Sequence, residues 1–392
     1  MHMFAVAALA FLAPQQPAPE VAEAKQAARE TPARSVLIDE AVAQLIAIQE
    51  EGEWPYEGVY RVKREIPVGY RVGGTSIVAT TLIYAAPKNP TALEAIARGQ
   101  TSVLRLLDHE LMRPSTEDAY DVRVWGHTYA LAFLCELRAA KLLGEHKADS
   151  ERWISTLVAT LATEEIPGGG WNYANHTQAA PFVTAPVLQS LLLARSQGES
   201  VPEELFERGR DSLLRARHGD GAFVYSGGSK EPSGLGMSGK TTASLAGASG
   251  RVGVCEGTLW LLGASSLDRV RASAQNFFEH WDDLEARRKK SGTHEGPYGI
   301  APYYFYYAHA YTAQAIEFLP EKARDELRQR MLETLLRTRD EDGTWDDRVF
   351  PRTRNYGTSM AVLVLLMDRA PRPPTWTKAK ASTKTADEKP AK

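Results

Sequence analysis

The sequence predicts an all-α chain folded as an (α/α)6 toroid, a barrel of six helical hairpins with inner and outer helical rings. Three observations carry this. Amphipathic segments alternate with segments that are apolar nearly all round, glycine–aromatic turns recur between them, and the apolar segments start at a near-constant interval.

The first hairpin opens at residues 36–50, where Ile38, Val42, Leu45 and Ile46 form one apolar stripe at helical spacing. Gly52-Glu53-Trp54 then provides a turn, because glycine accepts the backbone that ends a helix and the ring packs over that end. The more uniformly apolar stretch 73–85 follows as an inner helix. The second hairpin pairs 95–111 with 126–138. The third pairs 152–165 with 182–194 across Gly169-Gly170-Trp171, and the fourth pairs 205–218 with 252–263 after Gly221-Ala222-Phe223. Residues 269–281 and 308–319 form the fifth, and 323–342 and 357–367 the sixth, turning at Gly343-Thr344-Trp345. Aligned at Thr75, Thr128, Thr184, Gly253, Ala308 and Thr358, the inner segments recur every 50–56 residues, with one interval of 69. The long interval contains the Gly/Ser-rich stretch 226–250, which reads as a loop insertion. One hairpin buries too little by itself, and a closed ring of six leaves no exposed edge.

The ends read differently. Residues 1–34 form a signal-like segment and linker: the apolar run 3–13 is too short to span a bilayer and fits an export signal, although only Met1 and His2 precede it. The toroid is expected over 35–370, and a disordered tail rich in Pro, Lys, Ala and Thr over 371–392. The expected location is secreted or periplasmic, with no membrane span in the mature chain. A formal net charge of −3, with no basic stripe, gives no sign of a nucleic-acid partner. Two distant cysteines, Cys135 and Cys255, exclude a disulfide framework and a Cys-rich zinc module.

Gln49 followed by Glu51-Gly52-Glu53-Trp54, and Asp342-Gly343-Thr344-Trp345-Asp346, resemble the Gln–Trp repeat of squalene and oxidosqualene cyclases. Similar turns occur in protein prenyltransferase β-subunits, and the resemblance spans roughly 35–367 at the level of architecture. It implies the toroid and an apolar or isoprenoid-like ligand in a central cavity, lined at one end by the inner-helix N-termini and their loops. The Asp-x-Asp-Asp acid of class II terpene cyclases is missing. Asp340-Glu341-Asp342, Asp346-Asp347 and Asp282-Asp283 read instead as helix ends or solvated faces.

Asp121-Val122-Arg123 resembles the Asp-Val-Arg of the prenyltransferase subunits, which implies a substrate-binding role for Arg123. The same resemblance implies zinc held by an Asp, a Cys and a His. Cys255 and His309 stand in that order, but Gly253 occupies the Asp position and Glu256 is the nearest substitute. Two ligands fall short of the three or four that zinc takes. Residues 234–241 match a phosphate-loop pattern without the strand that such a loop follows, and Thr258 stands where a thioester would need Gln.

The densest aromatic stretch is 297–311, which includes Tyr303, Tyr304, Tyr307 and Tyr311. Such rings offer stacking faces to a sugar or stabilise a cation. The candidate catalytic residues are His309 and Glu256 as bases with Asp121. The candidate binding residues are Arg123, His127, Trp171, Tyr173, Tyr304 and Tyr307, with Asn172 and His176 nearby. Two rival readings stay open: a non-catalytic binding or scaffold toroid, and a polysaccharide lyase-like enzyme using His, Tyr and Arg on a glycan-like ligand.

Overall fold

A computed structural model of the chain describes residues 32–114, 122–173, 177–226 and 242–378, and over these it is helical, with isolated bridges and no strand. Six hairpins appear in the expected order. The outer helices are α1 (Arg34–Ala47), α3 (Pro90–Leu107), α5 (Lys147–Thr163), α7 (Glu203–Ala216), α9 (Leu267–Glu279, with the short α10, Trp281–Glu285) and α12 (Glu321–Leu336). The inner helices are α2 (Val68–Ala85), α4 (Arg123–Ala139), α6 (Pro181–Ser196), α8 (Leu245–Leu261), α11 (Tyr304–Ile316) and α13 (Thr353–Leu365).

Local chemistry starts several of these helices. Asn89 accepts from the Ala92 backbone N–H at 3.2 Å, with Pro90 in the first turn of α3. Ser244 and Ser266 cap α8 and α9 in the same manner. An outer helix buries one stripe, as in α7, where Leu205, Phe206, Gly209, Ser212, Leu213 and Ala216 face inward. Inner α8 is buried over almost its whole length. Each inner helix packs on the next, and α13 packs back on α2, which closes the ring. The seam is tied by Arg34 to Asp368 at 2.6 Å and by the Asn355 amide donating to Pro55 O at 2.9 Å.

The Gly-x-Trp turns have a common construction. Trp54, Trp171 and Trp345 are fully buried. Each indole N–H donates to a carbonyl near the end of the preceding outer helix: Leu45 O at 2.6 Å, Leu161 O at 2.7 Å and Leu335 O at 3.2 Å. Each backbone N–H donates to a threonine hydroxyl on the following inner helix, Thr75, Thr184 or Thr358, at 2.9–3.1 Å. The tryptophan thereby fixes one hairpin's inner helix to its outer one.

Two expectations change. Residues 371–378, read from composition as the start of a disordered tail, have a defined course: the Trp376 N–H donates to Leu261 O at 2.8 Å, and its indole donates to Glu203 at 2.9 Å. One aromatic anchor outweighs the Pro- and Lys-rich composition around it. Asp347, read as part of a solvated face, is completely buried. Among the described residues no helix is long and apolar enough to cross a membrane, and both cysteines are free and buried.

Candidate functional site

The two ends of the barrel differ in chemistry. At the N-terminal ends of the inner helices, aromatic side chains from all six hairpins gather: Tyr56 and Tyr70, Trp125, Tyr173 and Phe182, Tyr225, Tyr303 and Tyr304, and Tyr356. Neighbouring rings meet mostly edge to face. Tyr56 and Tyr70 lie 5.1 Å apart at 86°, and Phe182 and Tyr304 lie 5.3 Å apart at 83°. Tyr70, Trp125, Tyr173, Tyr225 and Tyr303 keep part of their surface exposed, so this end forms an aromatic basin.

Backbone chemistry places these groups. The Tyr173 carbonyl accepts the Val124 N–H at 2.9 Å, which fixes Tyr173 against the first turn of α4. Pro186 inside α6 has no N–H for the carbonyl four residues back, Phe182 O. That carbonyl accepts the Tyr307 hydroxyl instead, at 2.6 Å.

Tyr303 stands at the centre. Its hydroxyl lies 3.3 Å from that of Tyr225 and 3.5 Å from His294 Nε2, with the hydroxyls of Tyr173 and Tyr304 beside it. His294 Nδ1 donates to Gly299 O at 2.9 Å, which leaves the Nε2 lone pair turned to Tyr303. Burial, followed by the fields of Arg251, Arg348 and Arg287, lowers the His294 pKa and keeps the ring neutral; burial raises the pKa of Tyr303. Arg348 and Asp347 arrive on the loop after Trp345. Neither carboxylate oxygen of Asp347 accepts a hydrogen bond among the described residues. Burial and then the neighbouring Asp346 push its pKa well up, and its field reaches Tyr56 and Tyr356.

The other end holds a cavity. About 220 Å³ lies between the C-terminal halves of α2, α4, α6, α11 and α13, lined by Ile77, Tyr84, Ala132, Glu136, Leu193, Met360 and Leu363 among others. Its inner end includes Tyr129 and Tyr311, whose hydroxyls meet at 3.1 Å. Gln189 donates to Thr258 at 2.9 Å and to Gln314 at 3.0 Å in the same layer.

The sequence-derived candidates fall on both sides of the inner ring. Tyr173 and Tyr304 reach the basin, and Tyr307 ties α11 to α6. His309 does not face the axis: it is fully buried toward the outer ring, with Nδ1 donating to Phe305 O at 2.7 Å and Nε2 accepting the Trp281 indole N–H at 2.9 Å. Phe277 lies 4.8 Å from its ring, and burial lowers its pKa to about 4. Glu256 also turns outward, to Arg217 at 2.9 Å and to Ser265. Trp171 is spent on its hairpin turn. His127 uses both nitrogens, on Glu164 at 3.0 Å and on Met112 O at 2.8 Å, and Arg123 donates to Leu111 O at 2.9 Å. Asp121 and His176 lie outside the described residues.

These contacts do not fit the ligand set weighed for zinc. The His309 lone pair is taken by an indole, the Glu256 carboxylate by a guanidinium, and burial holds the Cys255 thiol well above its usual range. Among the described residues no group of three or more His, Cys, Asp or Glu is placed to hold a metal ion. His294, Tyr225 and Asp347 were missed from sequence. The only signal was the tyrosine run that contains Tyr303, since the others come from loops of separate hairpins.

Neither a protein-family model nor a curated protein sequence matches the chain. Solved structures do match, at the level of fold. An inactive variant of an α-1,6-mannanase from Salegentibacter sp. HEL1_6, in complex with α-1,6-mannotetrose, is similar with a TM-score of 0.55 and 11% identity over 86% of this chain and 99% of that one. A possible member of the GH105 family from Salmonella enterica serovar Paratyphi A gives 0.51 and 15% over 87% and 95%. A variant of the type II terpene cyclase MstE from Scytonema, in complex with geranylgeranyl dihydroxybenzoate, gives 0.50 and 16% over 86% and 96%. The terpene-cyclase-like toroid expected from the Gln–Trp turns is therefore the fold of this chain, and it is one shared with glycan-active proteins.

Proposed function

We propose that this chain is a carbohydrate-active toroid that binds a glycan in the aromatic basin at the N-terminal end of its inner ring. The observation that carries the reading is the convergence on Tyr303 of a tyrosyl hydroxyl at 3.3 Å and a neutral imidazole nitrogen at 3.5 Å, among partly exposed rings. Aromatic faces stack on sugar rings, and hydroxyl arrays exchange hydrogen bonds with sugar hydroxyls. In this reading Tyr303 takes a proton from the ligand as its own hydroxyl proton passes to His294 Nε2, and Arg348 supplies positive charge nearby. The oligosaccharide in the mannanase neighbour supports the ligand class and carries no residue over. The test is a glycan array followed by calorimetry on the hits. Tyr303→Phe and His294→Ala should keep binding within about threefold and lower turnover by about 10²-fold or more. Binding without turnover in the unaltered chain makes it a binding module; no glycan binding removes the reading.

A second reading, an apolar or isoprenoid-like ligand in the central cavity, is favoured by the C-terminal cavity and its Ile, Leu and Met walls. Export is also part of the proposal, on the apolar run at 3–13, and N-terminal sequencing of the chain recovered from cell fractions tests it.

A further inference from the structure

We propose that the C-terminal cavity is a gated site for a small neutral amphiphile, one hydrocarbon body with a single hydroxyl or carbonyl head, and that residues 370–378 are its gate. The inference rests on the second reading above and gives it a ligand chemistry and a route of entry.

Size comes first. A cavity of about 150 Å³ accepts benzene, so about 220 Å³ suits roughly nine non-hydrogen atoms. Charge comes second. Glu317 at the cavity wall is held by Arg328 at 2.6 Å, Arg324 at 3.2 Å and Arg372 at 3.3 Å, so it presents no free charge. The Tyr129–Tyr311 and Gln189–Gln314 pairs satisfy one another. Among the described residues Glu136 has no cationic partner, and it hydrogen-bonds Tyr84; burial raises its pKa and favours the neutral acid. A cationic head would lose its hydration to meet only the Glu136–Tyr84 pair, and an anionic one would meet only Arg372 at the mouth, already paired with Glu317, whereas a hydroxyl or carbonyl is satisfied by the Glu136–Tyr84 pair.

The gate is built from the chain itself. Ala370, Pro371, Arg372 and Pro373 border the cavity. At one end the segment is fixed to α13, where Arg369 and Ala370 N–H donate to Leu366 O at 2.7 and 2.8 Å. At the other, Trp376 is anchored on Leu261 O and Glu203, with its ring 6.0 Å from that of Phe206. Between the two anchors the prolines have no N–H to donate, and the Arg372–Glu317 pair is the hold. That arginine side chain is 49% exposed, so the pair is weak. A span fixed at both ends and loosely tied in the middle opens without unfolding the ring.

The test uses the full chain with 1-octanol, octanoate and octylamine, read by calorimetry for Kd and by NMR line shape for exchange. 1-Octanol should bind, with the two charged analogues weaker by about tenfold or more. Leu363→Trp, or Ala132→Phe if that variant does not fold, should abolish binding by filling the cavity. Trp376→Ala should speed exchange of 1-octanol by about tenfold while Kd moves by less than about threefold. If none of the three probes binds, the cavity reading itself fails. If octanoate or octylamine binds best, the ligand class is wrong. If the filled variants bind as before, the site is elsewhere, and if Trp376→Ala leaves exchange unchanged, the segment is no gate.

Discussion

The hydroxyls of Tyr129 and Tyr311 meet at 3.1 Å across the barrel, joining α4 to α11, the second and fifth of six inner helices. Tyr307 and Gln314 also reach from α11 to α6, the third inner helix, but the Tyr129–Tyr311 bond joins helices that stand opposite one another, so it braces the ring across its diameter. Both hydroxyls are buried enough to raise their pKa, that of Tyr311 to about 12, so both stay protonated over the working range. Tyr129→Phe and Tyr311→Phe should each cost about 1 kcal/mol, and the double variant little more than either single one. A double-mutant cycle by chemical denaturation checks this, and additive costs would mean the hydroxyls act independently.

Trp171 should behave as scaffold. Its backbone N–H and its indole N–H each bridge hairpin elements, to Thr184 at 2.9 Å and to Leu161 O at 2.7 Å. Trp171→Phe keeps most of the packing and loses one buried hydrogen bond, for an expected cost of about 1–3 kcal/mol. Trp54→Phe and Trp345→Phe should cost similar amounts, because their geometry repeats. Glycan binding by the folded Trp171→Phe variant should be unchanged; a selective loss of binding would put the indole back in the site.

His309 gives a pH dependence with a defined sign. Burial lowers its pKa from 6.5 to about 4 in the folded chain, so between these values the unfolded chain binds the extra proton. Its contribution is fully present above about pH 6.5, declines as pH falls toward 4 and levels off below, for a total of roughly 3 kcal/mol. His309→Gln should lose stability at pH 7 and show a shallower decline between pH 6.5 and 4 than the unaltered chain. Denaturation midpoints at pH 7, 5.5 and 4.5 for both chains decide it, and parallel curves would assign the acid sensitivity to other groups.

His309 also shows what the sequence withholds. The hairpins and their Gly-x-Trp turns were legible because helical periodicity and turn chemistry are local. An inner helix that is apolar nearly all round carries no phase, so its sequence does not say which side meets the axis and which meets the outer ring. His309 and Glu256 were therefore expected at the cavity and lie behind it, on Trp281 and Arg217. Asp347 shows the converse. A charged residue in a loop reads as solvated, and only the closure of the sixth hairpin on the first buries it near Tyr56. The basin likewise joins His294 and Tyr303, from one loop of the fifth hairpin, to Tyr225 of the fourth, and no local pattern shows that these two loops meet.

Glu256 separates a site role from a structural one. Its carboxylate is 3% exposed and pairs with an Arg217 side chain that is 16% exposed, so removing either partner strands a charge in a nearly dry interface. Glu256→Ala should cost about 3 kcal/mol or more, since the desolvated guanidinium loses its counter-charge. Replacing both, as Glu256→Leu with Arg217→Leu, should recover much of that loss, because no lone charge remains. A catalytic base would follow a different pattern: Glu256→Ala would keep its stability and lose turnover, and the double replacement would rescue nothing. Measuring unfolding free energy and activity on the same three preparations therefore distinguishes the two, and the outward geometry of the carboxylate predicts the first pattern.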